Sequence, residues 1–168
     1  LEFRRVLFRS VSSGSSSLMF SLMPNLLNQD SSVLILSPMY GEYLHILTHL
    51  IGCHVTHFPL HPEEGFVIDQ VSFVDIARQH DAVIIVNPNS PTGVYNSNLG
   101  EMIATILDSK EGKSNCKLIW VDETYIEYVS DAVSLEPLTS EHEELIICKS
   151  MSKCYRSEEH TSELQSPM

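Results

Sequence analysis

Four short runs of consecutive apolar residues, "VLIL" at 33–36, "VIIV" at 83–86, "LIWV" at 118–121 and "LIIC" at 145–148, constrain this chain more than any other feature. They are continuous rather than alternating. A strand with no polar face needs cover on both sides, as in a parallel sheet held between helices. Segments with helical spacing of apolar residues separate the runs: Leu18 to Leu27, Tyr43 to Ile51, Val71 to Arg78 and Leu99 to Leu107. A further strand is expected in "CHVTHFPL" at 53–60, ahead of the third helix. The alternation predicts an α/β fold with a mostly parallel sheet flanked by helices.

Ligands of such sheets bind beyond the carboxyl ends of the strands. The residues that follow the four runs are therefore the candidate site: "SPMYGEY" at 37–43, "NPNSPTG" at 87–93, "DETY" at 122–125 and "KSMSK" at 149–153. Each tail is polar or rich in Gly and Pro, and the fold predicts that all four converge on one crevice.

The two ends of the chain differ in kind from what lies between them. Leu1 to Ser10, written with the codons CTG GAG TTC AGA CGT GTG CTC TTC CGA TCT, has a reverse complement that translates as "RSEEHTSELQ". That string is Arg156 to Gln165. Antisense identity between two ends is expected of a ligated sequencing adapter and not of an evolved protein. Residues 1–10 and 156–168 are accordingly read as foreign, and 11–155 as part of a longer domain cut at both ends.

The net charge is −12. The flanks carry +2 (three Arg, one Glu) and −2 (one Arg, three Glu), so they cancel and the interior holds all of it. Such acidity argues against nucleic acid or an anionic membrane as partner. No apolar run reaches the roughly 18 residues of a membrane span. Cys53, Cys116, Cys148 and Cys154 have neither metal-ligand spacing nor the density of a disulfide scaffold, which points to a reducing, cytoplasmic compartment. His45 and His49, four apart, with His54, His57 and His61 nearby, form the competing constellation for a metal. No carboxylate completes a known ligand spacing there, so no metal is expected.

Taken together, the four tails resemble the fold-type I pyridoxal-phosphate enzymes of aminotransferase class I/II, nearest to the branch of histidinol-phosphate aminotransferase and threonine-phosphate decarboxylase. The resemblance spans nearly all of residues 11–155. It implies that Lys153 in "SMSK" is the lysine that holds pyridoxal phosphate as a Schiff base and shuttles a proton at the substrate α-carbon. Asp122 matches the aspartate that pairs with the pyridine nitrogen, and Tyr125 the tyrosine that hydrogen-bonds the ring's phenolic oxygen. Gly14, Ser15 and Ser16 in "SSGSSS" match the phosphate loop at a helix N-terminus, where free N–H groups and the helix dipole favour an anion. Ser150 and Ser152 would assist there, and Tyr40 would stack on the pyridine face.

One departure falls in the second tail, where the family usually reads Asn-Pro-Thr-Gly and this chain has Ser90 before Pro91. Either Asn89 reaches the ring oxygen from one residue back, or Ser90 substitutes, or the bond is lost; Asn89 is the expected donor. The resemblance also implies a cis Ser90–Pro91 bond, an amino donor and a keto-acid acceptor as substrates, and a homodimer for the full-length protein. Decarboxylation of an amino acid is the alternative chemistry, since it uses the same electron sink. A non-catalytic fragment is the alternative of another class, because the arginine expected after the lysine and the small substrate domain are not in the chain.

Overall fold

The computed structural model describes residues 15–108 and 113–150. Gly14, Ser152 and Lys153, and both flanks read as foreign, lie outside the described residues.

The predicted alternation is present. Helix α1 (Ser15–Leu26) leads to β1 (Ser32–Ser37), α2 (Gly41–His45), a π-helical segment (Ile46–Ile51), β2 (His54–Pro59) and α3 (Gln70–Ala77). Then come β3 (Ala82–Val86), α4 (Leu99–Leu107), β4 (Leu118–Asp122) and β5 (Leu145–Cys148). All four apolar runs are strands, and "CHVTHFPL" supplies the fifth. The helix expected over Tyr43 to Ile51 begins two residues earlier and widens into the π-helical segment. It stops at Gly52, whose φ of 86° is left-handed backbone that glycine adopts without a steric cost. Helix α3 starts where Asp69 accepts a hydrogen bond from the Ser72 amide at 2.9 Å, satisfying one of the free N–H groups of its first turn.

The sheet is parallel throughout, in the order β2-β1-β3-β4-β5. Every residue of β3 and β4 is buried, whereas β2 at the edge buries only Phe58. Three of the continuous runs, β1, β3 and β4, are thus inner strands, for the reason their composition suggested, and the fourth, β5, lies at the other edge of the described sheet with Leu145 and Cys148 buried. On one face Met19, Met23, Tyr43, Ile46 and Leu47 cover Val33, Ile35, Ile84 and Trp120. On the other, Phe73, Ala77, Met102, Ile103 and Ile106 of α3 and α4 cover Leu34, Leu36, Val83, Ile85 and Val121. Each such side chain contributes about 1.5–3 kcal/mol by leaving water, and the two layers together hold the strands in register.

This order fixes where a ligand belongs. The chain passes from β1 to β2 on one side and returns to β3 on the other side of β1, so the direction of winding reverses between β1 and β3. Loops leaving the carboxyl ends of two such strands diverge and open a crevice. Here those loops begin at Ser37 and Asn87, and the Asn89 amide donates to the Pro38 carbonyl at 3.0 Å, tying one loop to the other.

Candidate active site

Side-chain parity along β4 decides which face the crevice opens on. Leu118 and Trp120 pack against the α1 side of the sheet, and Asp122, two residues on, points the same way because side chains alternate along a strand. There its carboxylate meets α2. Oδ2 accepts a hydrogen bond from the Tyr43 hydroxyl at 2.7 Å, and Oδ1 accepts one from the Thr124 amide at 2.9 Å. The Trp120 indole N–H donates in turn to the Tyr43 oxygen at 3.0 Å. Asp122 is only 4 % exposed.

A carboxylate that deep in the protein is costly unless a cation or several donors compensate it. Asp122 has two neutral donors and, among the described residues, no cationic partner. One acceptor site remains on each oxygen. An N–H⁺ group entering the crevice would complete it. Next to it, the Thr124 hydroxyl is buried with no hydrogen-bond partner among the described residues, as are the Asn89 side-chain oxygen in the loop after β3 and the Asn96 side-chain nitrogen further along it. Unpaired buried polar atoms are uncommon and mark a place where something else is meant to bond.

Of the expected site residues, Tyr40 reaches this carboxylate through Tyr43, and Ser16 and Tyr125 lie by Tyr40. Tyr40 stands at the start of α2, 41 % exposed, with its ring edge-on to Tyr43 at 6.3 Å between centroids. Desolvation, and after it the negative Glu42, raise the Tyr40 phenol above its ordinary value; Ser16 opposes the shift, and Tyr125 adds weakly to it. Those four side chains therefore lie together. Ser16 in the first turn of α1 donates to a Glu42 carboxylate oxygen at 2.9 Å, which brings the amino end of α1 against that of α2. Ser15 precedes it, half-buried, and Ser150 follows β5, half-buried as well.

Tyr125 opens a short turn (Ile126–Tyr128) and lines an open cleft of about 310 Å³ with Pro88, Asn89, Ser90, Pro91 and Gly93. The Ser90–Pro91 peptide is cis, as the resemblance implies, and so are Ser37–Pro38 and Asn87–Pro88. Asn89, however, does not offer its donor to this cleft. Its amide nitrogen bonds the Pro38 carbonyl and the Thr92 hydroxyl, each at 3.0 Å, and the residue is 2 % exposed. Ser90, partly exposed, lines the cleft beside Tyr125. A larger cavity of about 460 Å³, lined by Asp30, Asp81, Lys117, Glu143 and Glu144 among others, lies at the amino ends of the strands, away from these residues.

Two elements of the site were not read from sequence. Tyr43 was placed as a helical residue only, and its bond to Asp122 spans 79 positions. Glu123 was passed over inside "DETY". It is 2 % exposed and accepts from the Ser134 hydroxyl and the Leu135 amide, both at 2.7 Å, while Lys149 stands 3.5 Å away. Lys149 also pairs with Glu136 at 3.2 Å. Glu123 thereby fastens the loop after β4 to the tail after β5. The signal was a glutamate directly behind a wholly buried strand. His45 and His49 stack at 5.0 Å between ring centroids, and among the described residues no three His, Cys, Asp or Glu side chains are placed to hold an ion. No helix among the described residues is long and apolar enough to cross a membrane.

A winding reversal between β1 and β3 and a buried carboxylate at the carboxyl end of β4 define an α/β protein of the class that takes its ligand beyond the carboxyl ends of the strands. The family description "Aminotransferase class I and II" matches residues 6–157, and the chain belongs to that family. It is 30% identical over 144 residues to a histidinol-phosphate aminotransferase of Bacillus subtilis subsp. natto, an alignment covering 84% of this chain and 38% of the relative. The chain thus spans about two fifths of that relative's length. Among solved structures, the histidinol-phosphate aminotransferase of Clostridium acetobutylicum superposes with a TM-score of 0.64 at 28% identity, over 83% of this chain and 39% of that one. A pyridoxal-phosphate-bound C-S lyase of Staphylococcus hominis shares the fold, with a TM-score of 0.70 at 18% identity over 88% of this chain and 40% of that chain. Dependence on pyridoxal phosphate is what membership of this family implies.

Proposed function

We propose that residues 11–155 are part of the cofactor-binding domain of an aminotransferase that moves an amino group from an amino acid or amino phosphate compound to a keto acid. The observation that carries this reading is Asp122: a carboxylate 4 % exposed, held by neutral donors, at the carboxyl end of a central parallel strand. Bound pyridoxal phosphate supplies an aldehyde that takes up the amine and a protonated ring that withdraws electrons from the α-carbon.

The chain's own residues do the rest. Asp122 would hold the proton on the ring nitrogen, and Tyr125 would donate to the ring's phenolic oxygen, with Ser90 beside it in the cleft and the Asn89 donor engaged elsewhere. Tyr40 would cover one face of the ring. Gly14, Ser15, Ser16, Ser150 and Ser152 would bind the phosphate, for which Ser16 would turn its hydroxyl away from Glu42. Lys153 would hold the cofactor covalently at rest and, its amine freed when the substrate amine takes its place, would move the proton at the substrate α-carbon.

A decarboxylase of Sulfurospirillum multivorans is also a structural neighbour, at a TM-score of 0.67 and 23% identity over 84% of this chain and 40% of that chain. That likeness carries the fold only, so decarboxylation stands second. We further propose that the flanks 1–10 and 156–168 are foreign, and that the complete protein is a cytoplasmic homodimer acting on free small molecules. Recovering the uninterrupted coding sequence and assaying its product for amino transfer from a panel of amino donors to 2-oxoglutarate tests the reading. Carbon dioxide release without keto-acid formation would replace it with the second.

A further inference from the structure

We infer that Tyr43 is a positioning residue for this chemistry: its hydroxyl, backed by the Trp120 indole, sets the orientation of the Asp122 carboxylate. The inference rests on the proposed pairing of Asp122 with the cofactor's ring nitrogen.

The polarity of the chain of bonds is fixed by what each group can do. An indole N–H only donates, so at 3.0 Å the Tyr43 oxygen has to accept from Trp120. The single phenol proton is then committed to Asp122 Oδ2, at 2.7 Å. No alternative arrangement satisfies all three groups. Tyr43 is wholly buried and Trp120 is 1 % exposed, so water does not stand in for either bond. Burial, then the charges of Asp122 and Cys148, push the Tyr43 phenol well above its ordinary value, which keeps the donor in place at every ordinary assay pH.

The carboxylate is pinned at both oxygens, by Tyr43 at Oδ2 and by the Thr124 amide at Oδ1. With one pin removed, its terminal torsion is soft, because torsions ending in a planar group have broad minima. Held at both oxygens, the carboxylate would present an unused lone pair to the ring N–H in one fixed direction, as a charge-assisted hydrogen bond requires.

The test uses the full-length holoprotein loaded with pyridoxal phosphate labelled with ¹⁵N in the ring. In the parent the ring resonance is expected at the protonated-pyridine position. Tyr43→Phe is expected to move it toward the unprotonated position, to weaken cofactor binding about ten- to a hundredfold, as loss of one hydrogen bond to a charged group does, and to lower kcat with the KM of the amino donor unchanged. A residue with a structural role alone would lower thermal stability and leave the resonance where it was; that result overturns the inference. Because Tyr43→Phe strands the Trp120 N–H, site-specific replacement of Tyr43 by 3-fluorotyrosine supplies a second arm. This near-isosteric phenol still donates to Oδ2 and is expected to keep the resonance at the protonated-pyridine position and kcat near that of the parent; a resonance displaced as in Tyr43→Phe is again a refutation. A parent that binds no cofactor, or holds its ring unprotonated, would instead refute the role given to Asp122.

Discussion

Replacing Glu123 with Gln removes a charge that the fold has buried and surrounded, and the size of the effect follows from its partners. The Leu135 amide and the Ser134 hydroxyl both donate to the carboxylate at 2.7 Å. Gln keeps an acceptor for the amide and can donate to the hydroxyl, so neither partner is stranded. What is lost is the charge assistance: a hydrogen bond to an ionised group is worth about 1.5–3 kcal/mol and a neutral one about 0.5–1.5. Two bonds each weakened by about 1 kcal/mol give about 2 kcal/mol. The ion pair with Lys149 adds little, because that ammonium is 36% exposed and keeps Glu136 at 3.2 Å; a pair open to water is worth about 0.2–1 kcal/mol. Glu123→Gln is therefore expected to destabilise the apoprotein by about 2–3 kcal/mol, and Glu123→Ala, which strands the Leu135 amide, by about 3–5 kcal/mol. Urea unfolding followed by circular dichroism measures both. A Gln variant within about 0.5 kcal/mol of the parent, the range of an ordinary surface change, would refute the claim that this carboxylate fastens the loop after β4 to the tail of β5.

Asp122→Asn is expected to lower kcat by at least about a hundredfold, the scale of losing one preorganised electrostatic partner, while cofactor still binds; steady-state kinetics on cofactor-saturated protein check this. Ser90→Asn, which restores the longer amide beside Tyr125, is expected to tighten cofactor binding by about one neutral hydrogen bond, about 0.5–1.5 kcal/mol, measured by equilibrium dialysis. Burial pushes the Cys116 thiol up to about 11 and, with Asp122 adding to it, the Cys148 thiol up to about 12, from an ordinary value of 9.0. The folded state keeps both protons that the unfolded chain has lost above pH 9, so stability is full below that pH and falls as pH rises toward 11 to 12. Urea midpoints across pH 8 to 11 check the sign, and replacing both cysteines with Ala should flatten the slope.

The fold was legible because its inner strands have no polar face. Val83 to Val86 and Leu118 to Val121 could only be strands covered on both sides, and that requirement alone placed helices on both faces and the tails at one edge. Asp122, Tyr125 and Tyr40 lie in those tails, since neighbouring parallel strands carry their next residues to the same place, whereas Ser16, ahead of β1, came only with the family resemblance. The bonds inside the site were not legible. Helical spacing says that Tyr43 is buried, not that its hydroxyl ends at a carboxylate on another strand. Glu123 and Asp122 are adjacent, and strand alternation turns them to opposite sides of the sheet; only the path of the 123–136 loop decides what Glu123 meets. Asn89 was the expected donor because its side chain suits the bond, but the turn consumes that donor at Pro38 and Thr92, a result of loop closure that no spacing rule contains.

Borohydride reduction followed by peptide mapping tests the central claim most directly, because only an imine between the cofactor and a lysine is trapped as a stable bond. In the full-length protein saturated with pyridoxal phosphate, the account predicts one equivalent of label, all of it on Lys153, and none after Lys153→Ala. The 168-residue chain treated in the same way is predicted to take up none. Label distributed over several lysines, or its absence from Lys153 in the full-length protein, would contradict the claim that this lysine holds the cofactor.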